Sequence, residues 1–90
     1  MTIVHLKREE YTQYIGRPTI FGNPYPIGDD YTRAEAIEKY ETYARENPKL
    51  LAAIKELDPE SVLACWCSPR ACHGDIIIKL WKELNAEILP

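Results

Sequence analysis

The residues best equipped for chemistry in this chain lie in one stretch: Cys65-Trp66-Cys67-Ser68-Pro69-Arg70-Ala71-Cys72-His73-Gly74-Asp75. It holds all three cysteines and one of the two histidines. Four readings fit these residue types. Cys65, Cys67, Cys72 and His73 are donors of the zinc type. A single residue between the first two cysteines and an adjacent Cys-His pair is not the spacing of the common zinc knuckles, so no metal and no cofactor is expected. Cys67 or Cys72 could act as a nucleophile with His73 as base, because a helix N-terminus and a nearby cation lower a thiol pKa. The distance along the chain from either Cys65 or Cys67 to Arg70 does not match the phosphate loop of cysteine phosphatases. Ser68, Arg70 and His73 could instead join helix N-terminal amides in an anion cradle, with Gly74 permitting close approach. Finally, plain packing accounts for Cys65 as a core residue, and Asp75 suits an N-cap or a first helical turn.

The elements that must position this stretch can be read on either side of it. Val62 to Trp66 is a short apolar run, consistent with a central strand buried on both faces. After the loop, Ile77, Ile78, Leu80, Trp81 and Leu84 recur at helical spacing, which predicts a helix from Gly74 or Asp75 to Leu84. Upstream, Ile3-Val4-His5-Leu6 and Tyr14-Ile15-Gly16 are β-prone. Between Gly16 and Asp30 the chain is dense in Gly, Pro and aromatic residues, which excludes regular structure. Thr32-Arg33-Ala34-Glu35 spells a capping box that opens a helix. Asn47-Pro48 ends it and begins another that reaches Leu57. A last run, Ala86 to Leu89, is predicted as an edge strand. The order β, β, α, α, β, α, β predicts an α/β domain: a small open, mostly parallel sheet of about four strands with about three helices.

Composition narrows the function classes. Ninety residues make one domain, residues 1–90. A net charge of −3 argues against bulk nucleic-acid binding, which needs clustered Lys and Arg. No apolar run approaches the ~20 residues of a membrane span. The first residues lack the basic-then-apolar pattern of a secretory leader, and three closely spaced cysteines do not make a disulfide framework. The expectation is a cytoplasmic protein with reduced thiols.

Several motifs in order resemble one family. They are Tyr14-Ile15-Gly16-Arg17-Pro18, Phe21-Gly22-Asn23-Pro24-Tyr25 with Ile27-Gly28, Arg33 to Tyr40, and Leu63-Ala64-Cys65-Trp66-Cys67-Ser68-Pro69 with Cys72-His73-Gly74-Asp75. Together they look like the domain of unknown function 4326 family, and the Cys-to-Cys-His segment is also similar to one in the domain of unknown function 488 family. The resemblance implies a small soluble protein of a kind frequent in bacteriophage genomes. Arg17, Gly22, Asn23, Pro24, Cys65, Cys67, Pro69, Cys72, His73, Gly74 and Asp75 match family motif positions. Ser68 and Arg70 fall where the motif is loose.

The family pattern links the Gly/Pro loop to the Cys/His loop, which implies one composite site. Its expected ligand-binding residues are Arg17, Gly22, Asn23, Pro24, Tyr25, Cys67, Ser68, Arg70, Cys72, His73, Gly74 and Asp75. Arg17 would pair with a phosphate, Asn23 would bond a base or ribose, and Tyr25 would stack. The expected ligand is a nucleotide, nucleoside or related phosphate compound, held without turnover. One such use is sequestering a nucleotide-derived immune signal for a phage in the host cytoplasm. The alternatives are a cysteine-dependent enzyme on the same ligand class, using Cys67, Cys72 and His73, and a structural-zinc interaction module. No membrane partner is expected. Self-association into a homo-oligomer is allowed, with Trp66, Trp81 or tyrosines as anchors.

Overall fold

In the computed structural model, residues 1–28, 30–68 and 70–86 are described. The elements run β1 (Thr2–His5), β2 (Gln13–Tyr14), α1 (Arg33–Arg45), α2 (Pro48–Lys55), β3 (Val62–Cys65) and α3 (His73–Leu84). Among the described residues the sheet is entirely parallel, in the order β1-β3-β2. Ile3 pairs with Leu63 and His5 with Cys65 on one side of β3; Gln13 pairs with Leu63 and Tyr14 with Ala64 on the other. The apolar run of β3 is thus explained by its central place, with Leu63, Ala64 and Cys65 all buried. Three strands lie among the described residues; the fourth, expected at Ala86 to Leu89, falls almost wholly outside them.

Local sequence sets the helix starts. Thr32 caps α1 by accepting from the Glu35 amide while Glu35 reaches back to the Thr32 amide, completing the capping box. Asn47 caps α2 from the residue before Pro48, and its side chain accepts from the Leu50 amide. Helix α3 starts at His73, one residue before the earlier of the two expected starts, and of the two places expected for Asp75 it takes the first turn. The cap is Cys72, whose thiol sulfur accepts from the Gly74 amide at 3.3 Å. Asp75 is not the cap; it sits in the first turn and accepts from the Cys72 amide at 3.3 Å. A cysteine fills this place because its sulfur is already buried beside the strand end, close enough to take the orphan amide.

The core lies where the helices meet the sheet. Ile15, Leu63, Leu50, Ile54, Ile77 and Leu80 are fully or almost fully buried there, with Tyr40 among them. Gly74 lets α3 approach the strands: a Cβ at this position would stand 2.8 Å from Ile3 Cδ1 and 2.9 Å from Ile15 Cδ1. Trp81 is also core, with its indole donating to the Leu57 carbonyl at 2.8 Å, so it is not the exposed anchor for self-association that its size suggests. No helix among the described residues is long and apolar enough to cross a membrane.

Candidate functional site

Parallel strands β2 and β3 end side by side, and the chain leaves each of them in a loop that carries polar side chains. The carboxyl end of a parallel sheet is where α/β proteins leave a crevice. Here a cavity of about 380 Å³ opens between the two loops. Tyr14 and Gly16 border it from the end of β2. Arg17, Asn23, Tyr25, Pro26 and Ile27 come from the Gly/Pro loop, and Cys65, Trp66, Cys67, Cys72 and His73 from the other.

The Gly/Pro loop is held rather than loose. Gly16 accepts from both the amide and the hydroxyl of Thr19, and the Gly22 amide donates to the Thr19 carbonyl. Phe21 is buried, and the Tyr40 hydroxyl donates to its carbonyl at 2.8 Å. Asn23 donates to the Ala36 carbonyl and accepts from the Tyr25 amide. Its side chain therefore fastens the loop to α1, which leaves only part of its capacity for the expected base or ribose contact. Gly22 packs under Arg17: a Cβ there would lie 2.9 Å from Arg17 Cγ. Arg17 itself is exposed.

The Cys/His loop divides its residues by role. The sulfurs of Cys65 and Cys72 are 3.3 Å apart, and both side chains are buried. Burial, and then the hydrogen bond with Cys65, push the Cys72 thiol up to about 12. Cys72 is thus a neutral thiol near pH 7, which is unsuited to nucleophilic attack. Cys67 is half-buried and borders the cavity. His73 Nε2 lies 2.7 Å from the Ile15 carbonyl. A carbonyl only accepts, so Nε2 carries the proton and Nδ1 keeps its lone pair. Burial lowers the His73 pKa and so favours this neutral ring, which packs edge-on against Tyr40 at 4.9 Å between centroids.

The structure therefore brings Arg17, Asn23, Tyr25, Cys67, Cys72 and His73 to one cavity and leaves the other expected residues elsewhere. Gly22 and Gly74 are buried spacers. Pro24 and Asp75 are exposed beyond the lining, and Ser68 and Arg70 border a different groove. The four residues named for zinc all border the cavity, but among the described residues no three His, Cys, Asp or Glu side chains are grouped to hold a metal ion. The amides at the start of α3 are also partly used, since Gly74 N donates to the Cys72 sulfur and Asp75 N to the Cys72 carbonyl. With the Asp75 carboxylate in the first turn as well, this helix start is a poorer anion cradle than its sequence suggests.

Two aromatic residues of the lining, Tyr14 and Trp66, are absent from the expected ligand-binding set. Trp66 is 55% exposed yet held on several sides. Its indole donates to the Tyr14 hydroxyl at 3.1 Å, His5 packs edge-on at 6.0 Å, and Lys7 Nζ lies 5.1 Å from the ring. An exposed indole fixed in place offers a flat stacking surface. The available signal was its position as the first residue past the central strand.

The family model described as Domain of unknown function (DUF4326) matches residues 4–83. The chain belongs to this family. The match spans both loops of the cavity, so the DUF4326 region includes the whole candidate site. No curated protein and no solved structure matches the chain.

Proposed function

We propose that this DUF4326 protein binds a nucleotide, nucleoside or related phosphate-containing small ligand in the cavity between its two loops. The observation that carries this reading is the lining itself: one exposed guanidinium, a fixed indole and tyrosines, and a neutral imidazole acceptor surround a single opening at the carboxyl ends of β2 and β3. Arg17 meets the phosphate as a planar fork. Trp66 or Tyr14 stacks on the ring. His73 Nδ1 accepts a hydrogen bond from the ligand, while its Nε2 proton is engaged with Ile15. The volume of about 380 Å³ stands at the small end of the usual ligand range of roughly 300–1,000 Å³, which suits a nucleoside or mononucleotide.

Holding the ligand without turnover is favoured over catalysis by the state of Cys72, whose buried thiol stays protonated. Sequestration of a nucleotide-derived signal is one use of such a binder. One observation supports an enzyme instead: Cys67 and His73 border the same cavity. Titration of the protein with a panel of nucleosides and nucleoside 5′-monophosphates, followed by Trp fluorescence and calorimetry, tests the proposal. Saturable binding is expected, and Arg17→Gln should weaken the phosphate-bearing ligands about tenfold. No binding anywhere in the panel at millimolar concentration overturns it. Ligand consumption that vanishes in Cys67→Ser establishes the enzyme.

A further inference from the structure

A second groove, of about 280 Å³, shares Trp66 and Cys67 with the cavity. Three arginines from three parts of the chain line it: Arg8 from the turn after β1, Arg33 from the first turn of α1, and Arg70 from the loop before α3. His5 and Ser68 add polar edges. Arg33 is held in place, with Nη1 donating to the Ala71 carbonyl at 2.9 Å.

Among the described residues no carboxylate lines this groove, and none of the three guanidiniums takes part in an ion pair. Glu9 and Glu10 follow Arg8 in the chain, but neither lines the groove. Asp75 shares a separate hollow with Arg70, where its carboxylate accepts from the Cys72 amide. Gathering like charges without a counter-charge is unfavourable, and it occurs here in a chain whose net charge is −3. A multivalent anion reverses the sign of that interaction, and guanidinium forks match phosphate oxygens. The shared indole carries Lys7 above its ring, so the positive potential extends to the boundary between groove and cavity.

We propose that this groove is a phosphoryl subsite, and that a ligand seated in the cavity continues past Trp66 into it. The ligand class is then a nucleoside bearing a chain of two or more phosphates. That ligand assignment rests on the cavity reading above; the subsite itself does not. A small polyphosphate fits better than a nucleic-acid strand because α1 alternates Glu35, Glu38 and Glu41 with Arg33, Lys39 and Arg45 and so offers a strand no continuous basic track.

Inorganic tripolyphosphate, titrated into the full chain by calorimetry at low salt, is the probe. It should bind more tightly than orthophosphate. Arg8→Gln and Arg70→Gln should each weaken it about tenfold and the pair about a hundredfold. Arg17→Gln should leave tripolyphosphate affinity within about twofold while weakening nucleoside triphosphates, which separates the two sites. Absence of tripolyphosphate binding, or binding unchanged in the double variant, overturns the subsite. If tripolyphosphate follows this pattern but no nucleoside di- or triphosphate binds more tightly than it, the cavity reading fails and the subsite stands. Tighter binding of a single-stranded oligonucleotide, lost in the same double variant, overturns the small-ligand assignment in favour of a strand.

Discussion

The two charged regions of this molecule are built on opposite terms. On the helical side, Arg45 pairs with Glu41 and Glu83, and Lys79 pairs with Glu41, so that α1 and α3 are laced together by alternating charge. These contacts hold the Glu41 and Glu83 carboxyls below the usual carboxylate range, chiefly through hydrogen bonds from Arg45. Around Trp66, three arginines share a groove that no carboxylate lines among the described residues. Paired surface charge adds little to stability and needs nothing from outside. In that groove only the Arg33 bond to the Ala71 carbonyl, among the side-chain hydrogen bonds described for the three arginines, ties charge to the fold, and on the proposal above an anion meets the rest. On that proposal, the difference separates residues that hold the molecule together from residues that bind.

The strongest way to break this comparison is to disturb the platform under both regions. Gly74→Val should destabilise the protein by about 2–3 kcal/mol in urea denaturation, because the added carbons meet Ile3 and Ile15 methyls with no free space. A stability loss below the error of the measurement would mean that α3 shifts away from the sheet at no cost.

A second test uses pH. Burial lowers the His73 pKa, so the unfolded chain takes up the proton more readily than the folded one. The His73 contribution is complete above the unfolded value of about 6.5 and is lost as pH falls below it. The urea midpoint should therefore fall between pH 7 and pH 5, before the carboxylates titrate. His73→Gln, which can keep a donor to the Ile15 carbonyl, should flatten that interval. An identical slope in the variant would remove His73 as its cause.

The remaining two tests address charge directly. Replacing both Arg8 and Arg70 with Gln should leave the melting temperature unchanged or raise it, since repulsion is relieved and no ion pair among the described residues is broken. A clear fall would show that the groove is structural. The smallest effect is expected on the helical side: Glu41→Gln should cost about 0.5 kcal/mol at low salt and almost nothing in 1 M salt.

Much of this arrangement was legible because its causes are local. A capping box needs only four consecutive residues, so Thr32 and Glu35 announced α1, and Asn47-Pro48 announced the break and the next start. A central strand must be apolar on both faces, so the run Val62 to Trp66 declared the place of β3, which ends at Cys65. The chemistry-bearing residues also stood in view, in two dense loops. The sequence could not show how the loops share their work. Asn23 and Tyr40 became fasteners because α1 packs beneath the Gly/Pro loop, and that packing is non-local. Cys72 became a cap and a buried thiol because β3 delivers Cys65 against it.

The sequence by itself determined the α/β class, the three helices and the two loops that carry polar chemistry, since propensity, capping and periodicity act over a few residues. Tertiary structure alone decided the strand order β1-β3-β2, which puts the ends of β2 and β3 side by side and so creates the cavity. It also decided that Arg70 and Ser68 turn away from Arg17 into a groove with Arg8 and Arg33. Both outcomes depend on which distant segments become neighbours. That is set by burying one shared core, and no short window of sequence contains it.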